Sequence, residues 1–162
     1  LMVTCAKLGM DFVACTNKEY FPEQQLVEYC LNVAKETGAT ITLTEDVKEG
    51  CKDADVIYTD VWVSMGEPDE VWEKRIKDLM PYQVNMKALG YAKKDVLFMH
   101  CLPAFHDLKT TIGKQIYEKF GLECMEVTDE VFESENSIVF EEAENRMHSI
   151  KAIMVATLGD IE

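Results

Sequence analysis

Two polar segments each begin where an apolar run stops. Asp55-Val-Ile-Tyr-Thr59 leads into Asp60-Val-Trp-Val-Ser-Met-Gly-Glu67, and Asp95-Val-Leu-Phe-Met99 leads into His100-Cys-Leu-Pro-Ala-Phe-His-Asp107. An ionised Asp60 offers only acceptors, so it can hold an ammonium group or orient an amine; an Asx turn or a helix cap uses the same residue type. Ser64 and Met65 add a hydroxyl and backbone groups just before Gly66. Cys101 is a nucleophile if its neighbours depress its pKa, and otherwise a binding group or a small apolar filler. Pro103 restricts Leu102 and permits a cis Leu–Pro bond, a rigid way to aim the Cys101 and Leu102 carbonyls at a ligand. His100, Cys101 and His106 are metal-ligating types, but the remaining ligands of a metal site are not evident. Arg146 closes the run Glu141-Glu-Ala-Glu-Asn-Arg146, one residue before Met147. An Arg at the edge of a buried face needs a partner, either a Glu of its own run or the oxygens of a ligand.

The elements that must position these groups follow from apolar periodicity. Short runs rich in Val, Ile and Leu read as strands buried on both faces, the kind found in parallel sheets. Ligands in open α/β sheets bind outside the carboxyl ends of such strands, where both polar segments stand. Helices are expected over Leu1–Leu8, Glu23–Thr37 (after Pro22), Glu45–Cys51, Val71–Leu79, Val84–Ala88, Thr110–Phe120 and Glu141–Leu158. Strands are expected over Asp11–Cys15, Thr40–Leu43, residues 56–59 and 96–99, and Cys124–Val127. The last helix carries apolar positions Ala143, Met147, Ile150, Met154 and Leu158 at helical spacing. This alternation predicts an α/β fold, doubly wound, with a mainly parallel sheet flanked by helices, as a single domain over residues 1–162. No dinucleotide fingerprint or Walker loop occurs, so nothing asks for a nucleotide cofactor.

Composition narrows the partners. The 162 residues carry a formal net charge of -14, and Arg75 and Arg146 are the only arginines. Nucleic acid is an unsuitable partner for such a chain, because phosphate backbones are bound by clustered Lys and Arg. A phosphorylated substrate would need several convergent cationic or N–H donors, so most of its cradle must lie elsewhere. No apolar stretch approaches the ~20 residues of a membrane span, so no membrane partner is expected. Six widely spaced cysteines without a C-x-x-C pair point to reduced thiols and a cytoplasmic protein. The first helix begins without a cap or an initiator Met, as if the chain were cut from something longer.

Asp60-Val-Trp-Val-Ser-Met-Gly66, His100-Cys-Leu-Pro103 and Glu144-Asn-Arg146, in this order, resemble the ornithine carbamoyltransferases, as do Val127-Thr-Asp-Glu-Val-Phe132 and Ser137-Ile-Val-Phe140. The family transfers a carbamoyl group from carbamoyl phosphate to the δ-amine of ornithine, giving citrulline and phosphate, with no metal or organic cofactor. The resemblance implies that Asp60, Ser64 and Met65 bind ornithine. It places Cys101 and Leu102 at the junction of the two substrates, and Arg146 on the carbamoyl phosphate oxygens. Asp60, Cys101 and Arg146 are then the catalytic group, with Cys101 orienting the amine or helping to accept its proton. Family members have two domains, and the phosphate loop of the first has no counterpart here. The chain therefore reads as the carboxyl-terminal, ornithine-binding domain, expected to be inactive without its amino-terminal partner, and from a parent enzyme that is a homotrimer or higher. In this family the long last helix crosses to the other domain, so part of its Met147–Leu158 surface is expected to be exposed. The alternative is a non-catalytic amino-acid-binding module; the Asp60–Gly66 loop serves both, whereas Arg146 and Cys101 favour the enzyme.

Overall fold

Four short strands rich in β-branched and aromatic residues form the frame of the site. They are β1 (Phe12–Cys15), β2 (Ile41–Thr44), β3 (Val56–Thr59) and β4 (Leu97–His100), in a computed structural model that describes residues 1–64 and 67–159. Both pairings are parallel. β1 runs beside β2 from Phe12↔Ile41 to Cys15↔Thr44, and β3 beside β4 from Val56↔Leu97 to Thr59↔His100. Because Thr59 faces His100 in register, Asp60 and Cys101 leave the two strands side by side. The two polar segments therefore share one sheet end.

Helices follow each strand. α1 (Met2–Leu8) and α2 (Gln24–Thr37) pack on each other and on β1 and β2, around Met2, Ala6, Val27 and Cys30. Gly9 (φ 72) and Gly38 (φ 84) end these two helices in the left-handed region that glycine tolerates best. α3 (Val47–Cys51), capped by the Asp46 carboxylate, leads into β3. α4 (Asp69–Leu79) and α5 (Met86–Leu89) separate β3 from β4. α6 (Thr111–Phe120) starts on the Thr110 hydroxyl, and α7 (Asp129–Phe132) precedes the long α8 (Val139–Leu158). Phe98 at the centre of β4 is fully buried, in a core with Ile57, Val96, Val127, Val131 and Val139. A second core joins Trp62, Val63, Phe105, Ile116 and Met125 beneath the two polar loops. Solvent-excluded apolar clusters of this kind fix the loops that emerge from them.

The expected α/β architecture of parallel strands and flanking helices is present, with three differences. The strands form two parallel pairs, because β1 and β3 face each other across a cavity of about 370 Å³ and do not pair. Cys124–Val127 is not a strand. The Met125 N–H goes to the Phe105 carbonyl and its own carbonyl to the Gln83 side chain, leaving only the single Val84↔Val127 bridge. The helix expected at Val84–Ala88 begins two residues later, at Met86, because Val84 is in that bridge.

α8 leaves the body of the protein after its first turn. Val139 is buried, whereas every described position from Ala143 onward is exposed, including Met147, Ile150, Met154 and Leu158 of the apolar stripe. Among the described residues, no helix is long and apolar enough to cross a membrane.

Candidate functional site

The strand ends gather four polar groups. Asp60 stands one residue past β3 and accepts from its neighbour's backbone, the Val61 N–H, at 2.7 Å. Across the sheet end, the Cys101 thiol donates to Asp60 Oδ1 at 3.0 Å. Tyr58, on β3, donates its hydroxyl to Glu142 Oε1 at 2.7 Å, and Glu142 Oε2 accepts the His100 N–H at 3.1 Å. Asp60, Cys101, Tyr58 and Glu142 thus form one acceptor-rich cluster, suited to a cationic ammonium.

The cluster sets the state of the thiol. Partial burial, then the hydrogen bond to Asp60 and the charges of Asp60 and Glu142, push the Cys101 thiol up to about 11. It is protonated at neutral pH, which is the wrong state for a nucleophile. Burial first, and then the Glu142 carboxylate, raise the Tyr58 phenol well above its usual value as well. Both groups are neutral, with their hydrogens committed to Asp60 and Glu142.

The loop that carries Cys101 is gripped from behind. His100 and Glu126 are essentially inaccessible, with His100 Nε2 3.2 Å from Glu126 Oε1. His100 Nδ1 accepts the Leu102 N–H at 2.9 Å, which assigns the ring hydrogen to Nε2, directed at Glu126. Glu126 Oε1 also accepts the Phe105 N–H at 2.7 Å. Leu102 adopts φ 51, followed by a cis bond to Pro103. The imidazole therefore turns inward while the adjacent thiol turns outward to Asp60.

The Asp60–Glu67 loop has its own brace. Arg75, on α4, donates to the Trp62 carbonyl at 2.9 Å and pairs with Glu67 Oε1 at 3.1 Å. Glu67 Oε2 accepts the Ser64 N–H at 3.0 Å. Ser64 is exposed, and its hydroxyl has no partner among the described residues. Met65 lies outside the described residues.

Of the residues singled out in the sequence, Asp60 and Cys101 are brought into contact, and Leu102 follows in the same loop. Arg146 is exposed on α8 and makes no ion pair among the described residues, so the Glu–Arg pair within its own run does not form. It lies one helical turn beyond Glu142 on the same face. His100, Cys101 and His106 do not converge as metal ligands. His106 Nδ1 instead sits 2.7 Å from Asp129 Oδ1, with its ring stacked on Phe132. Glu142 and Tyr58 were not legible as site residues. Glu142 sits in an acidic run that resembles a solvated face, and Tyr58 reads as strand filling. The position of Glu142 four residues before Arg146, on one helix face, is the one available signal.

A family model described as Aspartate/ornithine carbamoyltransferase, Asp/Orn binding domain, matches residues 1–157. The chain is similar to the catabolic ornithine carbamoyltransferase of Treponema denticola, 61% identical over 158 residues, which are 98% of this chain and 47% of that protein. It is also similar to the catabolic ornithine carbamoyltransferase of Mycoplasma capricolum subsp. capripneumoniae, 64% identical over 141 residues, 87% of this chain and 45% of that protein. Among solved structures, the ornithine carbamoyltransferase from Pyrococcus furiosus is 40% identical with a TM-score of 0.82, covering 99% of this chain and 46% of that one. The chain spans about half the length of the curated relatives it matches. Motifs, fold and matched residues agree: this chain belongs to the Asp/Orn-binding-domain family of the aspartate and ornithine carbamoyltransferases.

Proposed function

We propose that the chain supplies the ornithine side of an ornithine carbamoyltransferase and works with an amino-terminal half that holds carbamoyl phosphate. The observation that carries this reading is the Cys101–Asp60 contact at the shared strand end, 3.0 Å long and within an acceptor-rich cluster. In the transfer, the ornithine δ-ammonium loses one proton to become nucleophilic. Its nitrogen lone pair then attacks the carbamoyl carbon, and a C–N bond forms. The C–O bond to phosphate breaks, phosphate leaves with the electron pair, and the second proton of the amine neutralises charge on the released phosphate. Citrulline, phosphate and one free proton result.

Asp60 accepts from the cationic amine, and the sulfur of Cys101, whose hydrogen goes to Asp60, orients that amine as a weak acceptor, because a thiol raised to about 11 stays protonated and does not attack. Ser64 and Met65 bind the ornithine end of the substrate pair, and Leu102 and Cys101 line the junction. Arg146 meets the phosphate oxygens, in keeping with an exposed guanidinium that makes no ion pair among the described residues. Two arginines cannot build a phosphate cradle by themselves, which supports the need for a second half. The exposed stripe Met147–Leu158 supports the same reading, since it offers an apolar surface for that half to cover. We place the parent enzyme in the cytoplasm as a homotrimer or higher assembly, with neither metal nor organic cofactor.

The test is kinetic. The chain joined to the amino-terminal half of the Treponema denticola relative should form citrulline, and Ser64→Ala should raise its KM for ornithine by about tenfold with little change in KM for carbamoyl phosphate. An unchanged KM for ornithine in Ser64→Ala would contradict the assignment of this loop.

A further inference from the structure

We infer that Glu142 is a positioning residue: it anchors α8 to the ends of β3 and β4, and so fixes where Arg146 stands relative to Asp60 and Cys101. Three observations carry this. The segment before α8 is tied to β4, because the Phe98 N–H donates to the Asn136 carbonyl and the Ile138 N–H to the Phe98 carbonyl. One turn into the helix, the two Glu142 oxygens separate their work. Oε1 takes the Tyr58 hydroxyl from β3, and Oε2 takes the His100 N–H from β4. Beyond Glu142 every described residue of α8 is exposed, and the side-chain hydrogen bonds of Ser149 and Thr157 stay within the helix itself.

Among the described residues, Glu142 is therefore the last position of α8 that is not exposed. Arg146 stands one turn further along the same face, with side chains at that spacing about 5–6 Å apart. A helix held only by its first residues pivots there, and a small rotation at Glu142 moves the Arg146 guanidinium over a long side-chain reach. Two bonds to two different strands remove that freedom, since one bond alone leaves a hinge. The same carboxylate also adds to the acceptor-rich cluster around Cys101. Neither neighbouring acid can take over: Glu141 lies 100° away around the helix and Glu144 about 200° away.

The consequence for the reaction rests on the proposed role of Arg146, whereas the anchoring itself does not. Amide residual dipolar couplings of the ¹⁵N-labelled chain test the anchor directly. In the unsubstituted chain, couplings from residues 143–158 and from the four strands should fit one alignment. In Glu142→Ala, couplings over 143–158 should shrink by about twofold or more while those of the strands hold, as expected for a helix freed at a pivot. Tyr58→Phe, which removes one bond and leaves the backbone untouched, should give a smaller decrease and serves if Glu142→Ala does not fold. Unchanged α8 couplings in either folded variant would overturn the anchor. In the chain joined to the Treponema denticola half, Glu142→Ala should raise KM for carbamoyl phosphate about tenfold, and Arg146→Ala added to it should raise that KM little further, as expected if Glu142 acts through Arg146. An Arg146→Ala effect as large with Glu142→Ala as without it would overturn the positioning role. Absence of citrulline with the unsubstituted sequence would count against the proposed function, and the dipolar couplings would still judge the anchor.

Discussion

Cys101 donates its thiol hydrogen to Asp60 Oδ1 at 3.0 Å, across the ends of two parallel strands. The contact is possible because Thr59 and His100 are register partners, so the next residue of each strand starts from the same level. It ties a group that suits a cationic amine to one that suits the reacting centre. It also keeps the thiol protonated.

That protonation has a measurable consequence. Asp60→Asn removes both the charged acceptor of the S–H and a charge that opposes thiolate, so the Cys101 pKa should fall from about 11. Each unit of decrease multiplies the thiolate fraction at pH 8 about tenfold. Site-resolved mass spectrometry of iodoacetamide labelling should show faster modification of Cys101 in the variant. Equal rates would mean that Asp60 does not control the thiol.

Glu126 holds the loop from the core side. Glu126→Ala strands the His100 Nε2–H and the Phe105 N–H in a site without water access. The expected loss is about 3 kcal/mol, or a Tm lower by about 6–12 °C. Glu126→Gln retains a carbonyl oxygen as acceptor and should cost less. Thermal unfolding of both variants checks the order.

Stability should fall at alkaline pH. Burial, with the nearby Cys51, Asp46 and Glu49, raises the Cys15 thiol from 9.0 to about 11, and Cys101 rises to a similar value. A folded-state pKa above the unfolded one means that the protonated form is favoured by folding. That contribution is complete below pH 9 and is lost as pH climbs through about 11. Urea midpoints should therefore decline between about pH 9 and about pH 11, and Cys15→Ser should flatten the decline.

The stripe on α8 makes a different prediction. Met147, Ile150 and Met154 are about half exposed, at 48%, 46% and 54%, so they add little to the stability of the chain. Ile150→Glu with Met154→Lys should change unfolding free energy by no more than about 0.5 kcal/mol. The same pair should abolish binding of an apolar fluorescent dye, or any self-association, that the parent chain shows.

Much of this site can be read from the residues, for physical reasons that differ from group to group. Asp60 and Cys101 are legible because a buried parallel strand must end in a polar turn, and ligands bind at that end. α1, α2 and α6 are legible because a periodic apolar run meets a glycine that takes a left-handed conformation. Cys124–Val127 misleads, since a short, mostly apolar run resembles a strand while Phe105 and Gln83 take the backbone bonds of Met125. Glu142 is hidden for the opposite reason. Apart from its spacing to Arg146, nothing local distinguishes it from Glu141 or Glu144, and only the arrival of Tyr58 and His100 from distant strands gives it work.

The most direct measurement of the central claim is citrulline formation with saturating ornithine and carbamoyl phosphate, by the chain alone and by the chain joined to the amino-terminal half of the Treponema denticola relative. The account predicts no turnover by the folded chain alone and clear turnover by the joined protein. Efficient citrulline synthesis by the chain alone would contradict it, because this half would then hold a complete phosphate cradle despite its two arginines.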